Sequence, residues 1–203
     1  MEREERLPRR AQLSHLRHIS RIGPVDFSKY LPLSQRRSDD DESAVTSDRR
    51  AEIASTVDRA RELLSEMDAE RPDAARRFVA EAGLAAAGAA STDPLDLSAI
   101  ADEVRTGRKR KVSELARAVR AVLELADECG ESAGLPSLTL GAVALYASGT
   151  APFDRRAVIS GHTVKAIDAD WQFGSGPELR GTAEGIARFL LALSDTPPRA
   201  PRA

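Results

Sequence analysis

Apolar side chains recur at helical spacing along most of this chain. Between residues 48 and 71 they fall three or four positions apart, and charged residues occupy the other faces. Such a stripe is typical of an amphipathic helix that buries one side. Ser47 is placed to cap this helix, because its hydroxyl can accept a hydrogen bond from an orphan backbone N–H. The stripe consists of Ile53, Val57, Ala60, Leu64 and Met67.

Further helices are predicted over the next stretch of the chain. Pro72 suits the first turn of a helix, where its missing N–H costs nothing. Ser113 is the predicted N-cap of a strongly patterned helix that ends at Gly130, and Gly107 ends the helix before it. Segment 138–147 is mostly apolar, which favours a buried helix over a strand. The predicted segments are 72–84, 93–107, 113–130 and 138–147.

The pattern changes after Pro152. Residues 161–167 alternate branched and polar side chains, as in a strand, and residues 178–181 form a second short strand. Residues 168–176 are interpreted as a polar turn that contains glycine. A final helix follows over residues 182–193, with Thr182 as its cap.

These elements predict an α+β fold, mainly a helical bundle followed by a small ββα element. Residues 1–47 are polar, and the run 36–43 has no apolar residue, so this part is predicted to be partly disordered. The bundle is assigned to residues 48–150 and the ββα element to residues 151–195. The remaining tail, 196–203, contains three prolines and is predicted to be disordered.

Composition excludes several classes of protein. The net charge of −2 gives no overall attraction to nucleic acid, and the single Cys excludes an internal disulfide or a Cys-based zinc finger. No stretch approaches about 18 consecutive apolar residues, so no membrane partner is expected. The N-terminus shows no apolar signal region, which favours a cytoplasmic protein. The basic cluster 108–111 is interpreted as a solvated loop, and phosphate contact is the alternative.

Only three histidines are available for imidazole chemistry. His15 and His18 lie three residues apart on a predicted short helix, so they share a face and are candidate ligands for one metal ion. The alternative is two exposed histidines without a ligand role. Zinc requires three or four ligands, and His162 is far away in the sequence. The lone Cys129 stands among acidic residues at a helix C-terminus, which indicates an ordinary thiol.

The most distinctive local string is Asp168-Ala169-Asp170-Trp171. A lone Trp beside a strand usually anchors a core, because its ring buries a large apolar area. The two aspartates suit a turn in which carboxylates accept backbone N–H bonds, and cation binding is the alternative. The following string, Gly174-Ser175-Gly176-Pro177, lacks the Lys and the surrounding elements of a phosphate loop. It is interpreted as a tight turn between two strands.

Residues 143–193 resemble the C-terminal part of the mycothiol-dependent maleylpyruvate isomerase-like proteins of the DinB-like superfamily. The resemblance depends on the order of a strand, an Asp-x-Asp-Trp string, a Gly-x-Gly-Pro-Glu string and an x-Gly-x-Ala string before a helix. It covers about a quarter of the chain. The residues that carry this structural motif are Asp168, Asp170, Trp171, Gly174, Gly176, Pro177 and Gly181.

The resemblance implies a DinB-like helical bundle joined to a small α/β element. It also implies a divalent metal such as zinc, usually held by three histidines, the thiol mycothiol, and isomerisation or thiol transfer on a small molecule. His15, in Leu13-Ser14-His15-Leu16, loosely fits the context of the family's first metal ligand. No His occurs between His18 and His162, so a degenerate or lost metal site is expected. The alternative hypothesis is a non-catalytic helical interaction module, dimeric or regulatory, motivated by the Ala-rich stripe 85–90.

Overall fold

The computed structural model describes residues 48–66, 72–84 and 96–201. These residues form seven α-helices and one three-stranded sheet, so the predicted α+β class with mostly helices is confirmed. His15, His18, Ser47, Met67 and the Ala-rich stripe lie outside the described residues. The elements are α1 (Arg50–Glu66), α2 (Pro72–Glu81), α3 (Leu97–Thr106), α4 (Val112–Cys129), α5 (Ser137–Thr150), α6 (Phe153–Ile159), β1 (Thr163–Ala166), β2 (Gln172–Gly174), β3 (Glu178–Gly181) and α7 (Ala183–Leu190).

The helical core forms where the apolar stripes of α1 and α4 meet. Helix α1 packs on α3 and α4, and α4 also packs on α2 and α5. Ile53, Val57 and Ala60 of the predicted stripe are buried, and Leu64 is half-buried because Leu63 takes the inward position. Full burial of a Val, Leu or Ile side chain stabilises the fold by about 1.5–3 kcal/mol. The fully buried side chains of α1 and α4 include Ile53, Val57, Leu63, Leu115, Val119, Val122 and Leu123.

Arginine side chains join elements that are distant in the sequence. Arg59 of α1 donates to the backbone carbonyls of Ser132 and Ala133, both at 2.9 Å, in the loop between α4 and α5. Arg188 of α7 pairs with Asp127 of α4 at 2.7 Å. The planar guanidinium carries five N–H donors, so one side chain can bond several acceptors at once. Arginines outnumber lysines in this chain, and some of them make such contacts between distant elements.

The start of α4 differs from the prediction. The N-cap is Lys111 rather than Ser113, which lies inside the first turn. The reason is Glu114, whose carboxylate accepts the Lys111 backbone N–H at 2.9 Å, which is one half of a capping box. Glu114 also pairs with Arg108 and Arg110, so these two residues of the basic cluster 108–111 form ion pairs within the protein.

The contacts of Glu114 make one contribution to stability that depends on pH. Burial raises the pKa of this carboxyl, but the Lys111 N–H and the guanidiniums of Arg108 and Arg110 outweigh it and lower the pKa from 4.5 to about 2. The ionised carboxylate therefore stabilises the fold above pH 4.5, and this contribution is lost as the pH falls towards about 2. Glu114→Gln is expected to lower the free energy of unfolding at pH 7 by about 2 kcal/mol.

Urea unfolding of the natural chain and of Glu114→Gln at pH 7 and pH 3 measures this contribution. The difference between the two proteins should be smaller at pH 3 than at pH 7. Glu103→Gln is the matched control, because Glu103 is exposed on α3. An equal loss of stability in the two variants, or a difference that does not depend on pH, would contradict the assignment.

The C-terminal element is built on a sheet with strand order β2-β1-β3. Strand β1 pairs antiparallel with β2, with Val164 opposite Phe173, and parallel with β3, with Val164 opposite Leu179. Two strands were predicted, and the third, β2, lies within the segment interpreted as a turn. Its three residues are too few to show an alternating pattern, so they could not be recognised from the sequence.

Two further segments also differ from prediction. Helix α6, of only seven residues, was not predicted from the sequence. The tail was predicted to be disordered, but Arg199 pairs with Arg180 of β3 through two backbone hydrogen bonds of 2.7 and 2.9 Å. This pairing covers the outer edge of β3, which would otherwise present unpaired backbone groups. Pro198, next to this pairing, is buried.

Candidate functional site

Asp168 connects the turn after β1 to the start of α7. Its carboxylate accepts the backbone N–H of Ala183, the first residue of α7, at 2.7 Å. The first N–H groups of a helix have no partner within the helix, and an aspartate satisfies one of them. Thr182 satisfies a second by accepting the N–H of Gly185 at 3.0 Å. Asp170 is exposed in the same turn.

Trp171 joins the sheet to α5. Its indole N–H donates to the backbone carbonyl of Ser137, at the start of α5, at 2.9 Å. The ring lies against Gly141, where an added Cβ would come within 3.0 Å of it, and it stacks on Phe173 with centroids 6.1 Å apart. The half-buried ring and its satisfied N–H are those of a packing anchor between α5 and the sheet.

The turn between β2 and β3 requires glycine at two positions. Gly174 and Gly176 have φ of +85° and +120°, backbone angles that residues with a Cβ rarely adopt. A Cβ on Gly176 would lie 2.0 Å from the carbonyl oxygen of Gly161. The Pro177 carbonyl accepts the Thr163 N–H at 3.0 Å, so the turn is fixed against the start of β1.

The remaining residues of the motif complete this element without forming a reactive cluster. Gly181 ends β3 where a Cβ would lie 3.1 Å from Ile186 of α7, so glycine permits the close approach of strand and helix. His162 is half-buried before β1, and its Nδ1–H donates to the Ser160 carbonyl at 2.9 Å. Cys129 is half-buried at the end of α4.

The described residues do not fit the divalent metal that the resemblance implies. Within residues 48–66, 72–84 and 96–201, no group of three or more His, Cys, Asp or Glu side chains could hold a metal ion. The candidate ligands His15 and His18 lie outside these ranges, and their role stays a prediction. His162 therefore has no second imidazole beside it in the described part of the chain.

An open groove lies between α5, α6 and the sheet. Its volume is about 420 Å³, within the range typical of small-molecule sites. Leu145 of α5 and Phe173 of β2 give it apolar walls, and Arg156 of α6 and His162 line its polar part. Arg156 was not predicted as a site residue, because nothing in the local sequence distinguishes it from its neighbour Arg155.

The structure separates these two adjacent arginines. Arg155 is held over the ring of Phe189, 4.9 Å from its centroid, and pairs with Asp195. Arg156 donates its Nε–H to the Ala151 carbonyl at 2.9 Å and is otherwise exposed. No carboxylate in the described ranges makes an ion pair with Arg156.

Helix α5 exposes an apolar face beside this groove. The sequence predicted that 138–147 is a buried helix, and the helix is confirmed, but only one side of it is buried. Leu138 and Leu145 keep 76% and 58% of their surface exposed, and they lie seven residues apart on one face with Ala142 between them. No charged residue occurs from 132 to 153. A helix that is apolar all round is usually covered on every side, and the sequence therefore predicted that α5 is fully buried.

No protein-family model, curated protein or solved structure matches this chain. The resemblance to maleylpyruvate isomerase-like proteins therefore stays a prediction that rests on the residues quoted for it. None of the described helices has the length and apolar character needed to cross a membrane.

Proposed function

We propose that this chain is a non-catalytic interaction module that forms homodimers through the exposed face of α5. The observation that carries the proposal is the exposure of Leu138 and Leu145, at 76% and 58%, on a helix without a charged residue. Exposed leucines aligned on one uncharged helix face are typical of an interaction surface. Single exposed leucines scattered over a surface would need no such explanation.

A second copy fits this face because the face is complementary to itself. In an antiparallel pair of α5 helices, a two-fold axis between positions 141 and 142 brings Leu138 of each copy onto Leu145 of the other. Ala142 then lies beside the axis, where its small side chain lets the helices approach to about 8 Å. The lack of charge on the face leaves no like-charge repulsion between copies.

The size of the face predicts a weak dimer. A helix of 14 residues is about 21 Å long. Two such faces bury less than the roughly 800 Å² per partner of a standard interface. We therefore expect a dissociation constant in the micromolar range, with monomer and dimer in rapid exchange.

Sedimentation velocity of the full chain tests the proposal. The chain has a mass of 21.9 kDa, and the dimer fraction should rise between about 5 and 300 µM protein. The weight-average sedimentation coefficient should follow one monomer–dimer equilibrium. A chain that remains monomeric throughout this range would contradict the proposal.

The mycothiol-linked isomerase or thiol transferase implied by the resemblance is the second candidate. It is supported by one observation: Trp171, Gly174, Gly176 and Gly181 lie in one folded element that packs on the helices. Metal analysis of the purified chain and of His15→Ala tests it. Stoichiometric zinc that is lost in His15→Ala would support it, and a chain without bound metal would contradict a metal-dependent activity.

A further inference from the structure

The groove between α5, α6 and the sheet combines a cation with apolar walls. Arg156 lines it as an exposed guanidinium without an ion-pair partner among the described residues, and no acidic side chain is among those that line it. His162 also lines the groove, and its Nδ1–H already donates to the Ser160 carbonyl. Ser160 and Ser175 also line the groove and add hydroxyl donors, whereas the Ser148 hydroxyl already donates to the Leu145 carbonyl at 2.7 Å.

We propose that this groove binds a small organic carboxylate with an apolar body. The Arg156 guanidinium binds the carboxylate through its terminal N–H groups, which match the two oxygens of a carboxylate in spacing and direction. Its Nε–H is already used by the Ala151 carbonyl, and this bond holds the side chain in place before the ligand arrives. Less side-chain entropy is then lost on binding.

The apolar part of the ligand lies between Leu145 and Phe173. Leu145 is 58% exposed in the absence of ligand, so covering it removes apolar surface from water. Phe173 is half-buried and held in place by its stacking on Trp171. A volume of about 420 Å³ accommodates an aromatic acid but not a folded polypeptide segment.

The turn residues explain why the groove has a fixed shape. Gly161, His162, Gly174 and Ser175 line one end of it. The backbone of Gly174 lies so close to His162 that a Cβ would be 2.3 Å from the His162 carbonyl oxygen. The same contacts that hold the β2–β3 turn against β1 therefore form this wall. The groove shares Leu145 with the proposed dimer face, so a ligand and a second copy would compete for this side chain.

Titration of the full chain with 2-naphthoate, followed by amide chemical shifts, tests this site. The experiment uses Leu138→Asp as the background, so that a failure of the dimer proposal does not affect it. Saturable shifts are expected at Gly161, His162 and Ser175. Uncharged 2-naphthamide should bind at least about tenfold more weakly, because it cannot form the charge-assisted pair.

Variants of Arg156 decide whether the cation is responsible. Arg156→Gln should weaken 2-naphthoate binding at least about tenfold, and Arg156→Lys should weaken it less. The matched control is Arg120→Gln, which removes an exposed arginine paired with Glu124 on α4 and should leave binding unchanged. Absence of saturable shifts at the groove, or equal weakening by Arg156→Gln and Arg120→Gln, would overturn the proposal.

Discussion

Leu138→Asp is expected to abolish self-association at concentrations where the natural chain forms dimers. In the antiparallel arrangement each new carboxylate faces Leu145 of the other copy, where it loses water and gains no partner. Since the change occurs twice per dimer, the dissociation constant should rise at least about a hundredfold. Sedimentation velocity at about 300 µM protein should then show monomer.

The monomer itself should be unaffected by this change. Leu138 is 76% exposed, so the free energy of unfolding should shift by no more than about 0.5 kcal/mol. The control is Ile167→Asp, because Ile167 is 65% exposed in the turn after β1 and lies outside α5. If Ile167→Asp weakens dimers as strongly as Leu138→Asp, the interface has been assigned to the wrong face.

Gly176→Ala is expected to cause the largest loss of stability from a single methyl group in the C-terminal element. The φ of +120° strains any residue with a Cβ, and the Cβ would lie 2.0 Å from the Gly161 carbonyl oxygen. Neither group can move freely, because the turn is fixed against β1 by hydrogen bonds. The free energy of unfolding should fall by at least about 2 kcal/mol.

Gly130→Ala is the matched control for this effect. Gly130 also has a positive φ, +70°, but beyond its immediate chain neighbours nothing lies within 4 Å of the position of an added Cβ. Its replacement tests backbone strain alone and should cost about 1 kcal/mol. Urea unfolding of both variants measures the difference. A cost for Gly176→Ala no greater than that for Gly130→Ala would show that the contact with Gly161 is unimportant.

The helices could be predicted where one face is buried and the other is charged. Helices α1 and α4 have such stripes. The start of α1 and both ends of α4 agree with the prediction to within two residues, and residues 67–71 of the first predicted helix lie outside the described residues. The predicted N-cap of α4, Ser113, was wrong. The Glu114 carboxylate accepts the Lys111 backbone N–H, and the N-cap is therefore Lys111, two residues earlier. Strand β2 and helix α6 were not predicted because they are too short to show a period.

Less of the candidate site than of the helices could be predicted from the sequence. The glycines of the β2–β3 turn and the role of Trp171 as an anchor follow from residue type and position. The exposed face of α5 could not be predicted, because an uncharged helix is expected to be fully buried until its neighbours are known. Arg156 differs from Arg155 only in tertiary partners that are distant in the sequence, such as Phe189.

Disulfide cross-linking at Ala142 tests the α5 dimer most directly. In Ala142→Cys, prepared with Cys129→Ser, the two Cα atoms should lie about 5 Å apart across the two-fold axis, within the range for a disulfide. Gly149→Cys in the same background places them about 20 Å apart. The account predicts covalent dimers of Ala142→Cys and none of Gly149→Cys under mild oxidation. No cross-linking at position 142, or equal cross-linking at both positions, would contradict it.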